Sequence, residues 1–451
     1  MHGEIQSSEI DFLFLTCSYT LMNISPSNFP TQIILSGADC FFLAMESHYE
    51  KYGTAGNVCH LLLSLDGAVS KEIIQKKIIQ FPIFDWLSKI ELDRGAFFGL
   101  PKWKYRTEKE TTLPIEEITS DAVGLPSEII SKGIFLKDPC LFRFTIVHRK
   151  SGKTDLVFSW HHVLMDAQGA ETLLRLMGGE IPEEKVKYFP DKEKYINLLK
   201  AFYTLHFSKE FVKKSSKKPL VQLVTKEPDY VPISNYHVLE LTEDQTKQLD
   251  KRAFENGAKV SRGSFFLACT TKAVNEWLIA KGNTKGTFWI PTPQNRRPRG
   301  GYGPVISNLQ AFMFYRIPRE KTSNLKACTE FITTQMFDLV RHHRPDDYAV
   351  MSGLLRRLPS RFYYWLIKGP AGGSMASFLY TDPGVNEFKS FLGYTVENVT
   401  NYPPGTFPPG FMTVYERFNG KQKIIINYTL QIVSKEDLSI LENNLLKELL
   451  G

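Results

Sequence analysis

The sequence predicts an α/β fold of two mixed lobes, and three observations carry that prediction. The chain has 451 residues, enough for more than one hydrophobic core. Strand-like and helix-like apolar patterns occur on both sides of its midpoint. Between about 207 and 230 these patterns weaken and lysines accumulate: Lys209, Lys213, Lys214, Lys217, Lys218 and Lys226. The predicted organisation is an N-terminal arm over 1–28, a first lobe over 29–206, a linker over 207–231 and a second lobe over 232–451.

In the first lobe, Val58–Leu65 reads as a strand ending in the turn Asp66-Gly67. Ser70 is placed to cap a helix in which Ile73, Ile74, Ile78 and Ile79 recur at helical spacing. Leu141–His148 and Asp155–Trp160 read as strands joined by a hairpin turn at Lys150–Lys153, and Ala170–Met177 reads as a helix. In the second lobe a strand over Tyr236–Leu241 precedes a helix with capping-box residues Thr242 and Gln245 and a stop at Gly257. A longer helix over Ser264–Ala280 ends at Gly282. A strand over Lys423–Leu430 and a last helix capped by Ser434 close the chain.

Composition narrows the function classes. With 43% hydrophobic and 23% charged residues, wholesale disorder is excluded. The six cysteines are scattered without a CxxC pair, which argues for reduced thiols in a cytoplasmic protein and against a zinc site or disulfide framework. A net charge of +7 permits contact with anionic ligands, acidic proteins or anionic lipid and selects none of them. No run of eighteen apolar residues occurs, so no integral membrane segment is expected, while peripheral membrane contact stays open. Phe12–Leu15 is too short to span a bilayer and follows Glu9 and Asp11, which makes a poor signal peptide.

The residues richest in chemistry are His161-His162-Val163-Leu164-Met165-Asp166, between a buried strand and a helix. Histidine titrates near neutrality, so it can take a proton from an alcohol or amine without a metal. By the two-residue strand period, Phe158, Trp160 and His162 share one face and His161 points to the other. Taken alone, a His-His pair at a strand end also serves core hydrogen bonding, and aspartate is a favoured helix N-cap.

This HHxxxD pattern resembles the active-site motif of the CoA-dependent acyltransferase superfamily, which includes chloramphenicol acetyltransferase, plant BAHD acyltransferases, nonribosomal condensation domains and wax ester synthase/diacylglycerol acyltransferases. The resemblance implies two chloramphenicol acetyltransferase-like lobes around a central tunnel. It implies acyl transfer from acyl-CoA, or from the phosphopantetheine of an acyl carrier protein, to a small-molecule acceptor, with no permanently bound cofactor and no metal. His162 would be the general base, His161 would support the loop, and Asp166 would pair with an arginine of the second lobe. Within Ile290–Arg297 the candidate is Arg296, with Arg297 as the fallback. Gly303–Asn308 is similar to a family step before a second-lobe strand, which implies that Asn308 orients the loop. The family has glycine directly after the aspartate; here Ala167 stands there and Gly169 follows two residues on.

Leu35–Glu46 and Leu61–Gly67 are similar to segments of the wax ester synthase branch. Read physically, the former is a helix with Asp39 near its first turn and Phe41, Phe42 and Met45 packed inward. That branch implies a hydroxyl acceptor. Alternatives are an amide-forming condensation-like enzyme or a catalytically silent ligand-binding member. The BAHD signature Asp-Phe-Gly-Trp-Gly is absent.

Other features read as structural. Arg341–Arg344 with Asp346 and Asp347 reads as a solvated helix end, and Gly372-Gly373-Ser374 lacks the spacing of a carrier attachment site. Arg356, Arg357 and Arg361 beside Phe362–Trp365 read as a buried aromatic helix with a charged flank, and nucleic acid is not expected. The proline-rich stretch 402–410 is either a cover for the tunnel floor or a surface connection.

Overall fold

Val58–Leu65 is apolar at almost every position, as suits a strand buried on both faces. In the computed structural model it lies inside a six-stranded sheet. The order is Ser390–Phe391, Tyr394–Tyr402, Val58–Leu65, Thr154–His161, Phe142–His148 and Ile115–Thr119. Neighbours are antiparallel except the last pair. The structure describes residues 29–451 apart from 53–54, 96–98, 111, 192–197, 225–228, 299, 369–373 and 406. The arm expected over 1–28 therefore lies outside the described residues, as do Lys226, Gly372 and Gly373.

The second half of the chain builds a four-stranded sheet from Leu379–Val385, Phe411–Phe418, Lys421–Thr429 and Ser234–Glu240. Thr287–Asn295 and Gln310–Pro318 form a separate antiparallel pair. The helices Gly263–Ala280 and Lys435–Leu450 pack together, tied by Trp277 Nε1 donating to Asp437 at 2.8 Å. The expected capping box forms at Thr242 with Gln245, and the expected cap Ser434 goes further, forming a capping box with Asp437. The chain leaves the Glu243–Glu255 helix through Gly257 at φ +91°, a conformation open to glycine without cost.

Two large apolar cores result, one behind each sheet. A smaller cluster joins them: Leu62, Val147 and Val157 of the first sheet meet Val414 and Ile425 of the second. The strand Tyr394–Tyr402 reinforces the union, because a segment of the second half hydrogen-bonds to Val58–Leu65 of the first.

Three readings are corrected. Ile74 and Ile78 are buried, but Ile73 and Ile79 are exposed, because a single face of the short helix Lys71–Gln80 meets the core. The lysine-rich stretch is regular through Ser215: the helix Leu198–Ser215 runs into it. In the helix Ser360–Lys368, Tyr363 and Tyr364 are buried, whereas Phe362 and Trp365 are exposed.

Candidate active site

The strand Thr154–His161 ends where the backbone N–H of His161 donates to Leu141 and that of His162 donates to Asn57 O at 2.8 Å. The chain then turns tightly. Leu164 N–H donates to His161 O at 2.9 Å, and Trp160 Nε1 donates to Met165 O at 2.9 Å. Asp166 caps the helix Ala167–Gly178 by accepting from Gly169 N–H at 3.0 Å. Strand and helix together clamp a four-residue loop at both ends.

The two histidines diverge as the strand period requires. His161 is fully buried; its Nδ1 accepts from Val163 N–H at 3.2 Å, and its Nε2 lies 3.2 Å from the buried Glu46 carboxylate. His162 lies on the wall of a cavity of about 1010 Å³. Its ring stacks on Phe42 with centroids 3.7 Å apart and planes 18° from parallel, and Nδ1 faces inward, shielded from solvent. Burial lowers its pKa to about 4, against the opposing pull of its own main chain and of the Asp166 charge, so the ring is neutral at physiological pH.

Asp166 does not serve His162 by contact. One oxygen takes the Gly169 cap; the other accepts from Arg297 Nη1 at 2.7 Å and from Leu309 N–H at 3.0 Å. Arg297 Nη2 donates to Pro304 O at 2.8 Å. Arg296, the first candidate from sequence, instead points outward to Asp346 at 2.8 Å. Consecutive residues at the end of the strand Thr287–Asn295 project differently, and spacing alone does not tell which of two arginines turns inward.

Asn308 behaves as a brace. Its Nδ2 donates to the carbonyl of His162 at 2.8 Å and to Asp39 Oδ1 at 2.9 Å, and its backbone N–H donates to the same oxygen at 2.7 Å. Asp39 reaches this position because Ser36 and Asp39 cap the helix Gly37–Tyr52 reciprocally. Burial raises the Asp39 pKa, and the Asn308 and Ser36 donors oppose that rise. Gly169 is set by closeness: a Cβ there would sit 2.4 Å from Val305 O. Ala167 occupies the first helical turn, a conformation that alanine favours.

The cavity wall is largely apolar. Phe41, Phe42 and Met45 enter from one helix, as expected, and Trp289, Phe312 and Phe314 come from the two-stranded pair. Pro403 and Pro404 of the proline-rich stretch also line it, which favours the cover over the plain surface connection. The Arg341–Asp347 cluster stays outside this wall, with Arg344 paired to Asp347, and no metal-binding group of histidines, cysteines and carboxylates occurs among the described residues. No helix among them is long and apolar enough to cross a membrane.

No protein-family model matches the chain, and no curated protein matches it. Solved structures do. The trichothecene 15-O-acetyltransferase of Fusarium sporotrichioides superposes with a TM-score of 0.66 at 11% identity, over 93% of this chain and 95% of that one. The first condensation domain of the calcium-dependent antibiotic synthetase gives 0.61 at 13%, over 93% and 96%. The epimerization domain from the third module of tyrocidine synthetase B gives 0.59 at 13%, over 93% and 95%. The chain shares the fold of these acetyltransferase, condensation and epimerization domains. Two lobes with a cavity between them match the expected architecture.

Within this fold, sequence reasoning missed several contacts and residues that the site brings together. The Asp39 contact with Asn308 joins residues 269 apart and leaves no local trace beyond the Ser36 cap. His60 lines the cavity from inside a strand. Glu416 is buried and Glu171 half-buried, both accept from the shared side chain of Asn401, and desolvation pushes each up to about 7. Each of these would pass in the sequence for an ordinary strand or helix residue.

Proposed function

We propose that the protein transfers an acyl group from a thioester donor to a hydroxyl of a small-molecule acceptor, with His162 as general base. The observation that carries this reading is the placement of a neutral imidazole on the wall of a large apolar cavity, held rigidly from behind. Its Nδ1 faces inward, so Nε2 is the nitrogen available to substrate. Nε2 takes the acceptor's hydroxyl proton as the oxygen attacks the thioester carbonyl. The carbon–sulfur bond then breaks, and the imidazolium returns the proton to the departing thiolate. An ester and a free thiol result, with no acyl-enzyme and no resident cofactor. Such proton transfer contributes typically ~10²–10⁴-fold.

Asp166, Arg297 and Asn308 act as positioning residues in this reading, since their hydrogen bonds go to the loop, to the helix start and to one another. The apolar wall suits a hydrophobic acyl chain or acceptor. Structural likeness to condensation domains favours a second reading, amide formation with a donor carried on an acyl carrier protein.

The test is to offer the purified protein mixed acyl-CoAs together with an extract of its own host and to identify products by mass spectrometry. New esters support hydroxyl transfer, new amides support the second reading, and ligand binding without any acylated product contradicts both.

A further inference from the structure

The cavity contains a polar side chain that the proposed acyl transfer does not use. His60 stands opposite Ser159 in the pairing of Val58–Leu65 with Thr154–His161. It is only 3% exposed, and it shares the cavity wall with Tyr402, Pro403, Met412 and Val414. Its Nδ1 lies 2.8 Å from Ser159 Oγ.

That contact settles which ring nitrogen carries hydrogen. Ser159 is fully buried, and its hydroxyl has no other hydrogen-bond partner among the described residues. A buried hydroxyl proton left unpaired costs about 1–3 kcal/mol. The proton therefore goes to Nδ1, and the neutral ring keeps its hydrogen on Nε2. Nε2 makes no hydrogen bond among the described residues. Burial, aided by the Arg143 charge, lowers the His60 pKa to about 3, so the ring neither charges nor serves as a base near neutrality.

His162 N–H donates to Asn57 O, and His60 lies three residues further along that segment, so both histidines line one cavity from neighbouring segments. We infer that His60 Nε2–H is a fixed hydrogen-bond donor for a carbonyl oxygen of the substrate bound in that cavity. The inference rests on the acyl-transfer reading and adds a subsite to it. Two sources carry such an oxygen: the amides of a pantetheine arm behind the thioester sulfur, and a carbonyl group on the acceptor.

The experiment measures binding of decanoyl-CoA, decanoyl-pantetheine and S-ethyl thiodecanoate, which lacks amides, to the full-length chain. Quenching of the cavity tryptophans Trp160, Trp289 and Trp365 provides the signal. The variants are His60→Phe, His60→Gln and Ser159→Ala, each with its melting temperature recorded. If the donor arm is the source, His60→Phe weakens both amide-bearing thioesters about tenfold, leaves the ethyl thioester unchanged, and is rescued by His60→Gln. Ser159→Ala, which releases the tautomer without removing the ring, gives a smaller loss of the same selectivity. If the acceptor is the source, thioester binding is unchanged and KM for the acceptor rises with kcat kept. Where His60→Phe melts early, the Ser159→Ala and His60→Gln pair decides by the same selectivity. Folded variants whose donor affinities and acceptor KM all stay within twofold of wild type overturn the inference while leaving acyl transfer standing. A wild-type protein that neither binds nor turns over any thioester overturns the acyl-transfer reading, and the inference falls with it.

Discussion

Asp166 accepts a hydrogen bond from Arg297 at 2.7 Å across 131 residues of sequence, and both side chains are almost wholly buried. The pair joins the start of the helix behind the histidine loop to the end of a strand from the second half of the chain. Breaking such a pair leaves a buried charge uncompensated, which costs about 3–5 kcal/mol. Arg297→Met should lose about that much stability in a denaturant titration. Arg296→Met breaks only the exposed contact with Asp346 and should change stability by less than about 1 kcal/mol. Equal effects of the two variants would contradict the assignment.

Gly169 offers a second mechanical test. An added methyl would meet Val305 O at 2.4 Å, and a main-chain oxygen cannot step aside alone. Gly169→Ala should cost about 1–3 kcal/mol by overpacking and should shift the helix start away from Val305. Ala167→Gly, one turn position away and free of that contact, should lower stability by at most about 1 kcal/mol through helix propensity. Thermal denaturation of the two variants side by side makes the comparison.

Proton linkage separates two kinds of desolvated group. His162 and His60 have folded pKa values near 4 and 3, below the ordinary 6.5, so the unfolded chain binds their protons more readily. Their contribution is present above pH 6.5 and is lost as pH falls through about 4 and 3. Glu171 and Glu416 are raised from 4.5 to about 7, so their contribution is present below pH 4.5 and lost as pH rises through about 7. Glu171→Gln keeps an acceptor for Asn386 and Asn401 and removes the titration. Its stability relative to wild type should therefore be higher at pH 8 than at pH 5, as read from denaturation midpoints at the two values.

The same low pKa fixes the shape of the activity profile. A base must be unprotonated to act, so kcat/KM of the free enzyme should decline on the acid side as pH falls toward 4, well below the 6.5 of an ordinary histidine. An acid limb centred at 6.5, in protein shown to be folded there, would mean that the ring is more solvated than the structure has it.

Local signals in the sequence were good guides where physics is local. The capping box at Thr242, the cap at Ser434, the hairpin before Thr154 and the opposite faces of His161 and His162 follow from short-range rules, and the structure has each of them. The architecture was legible through the HHxxxD resemblance, which the superposed structures support at the level of fold. Long-range pairing was not legible. Arg296 and Arg297 are equivalent by composition and spacing, and only the packing of Pro304, Ser307 and Leu309 around Asp166 selects the second. Asp39, His60 and Glu171 matter because residues from distant segments surround them, and a chain read in order carries no mark of that company.

The central claim is that His162 removes the acceptor's proton, and its most direct test is single-turnover acyl transfer by His162→Ala. The wild-type protein, with the acyl donor and acceptor identified by product analysis, sets the rate. His162→Ala should keep the wild-type melting temperature within a few degrees, keep thioester binding, and lose about 10²–10⁴-fold in the rate of transfer. A folded His162→Ala protein that transfers the acyl group at the wild-type rate would contradict the account.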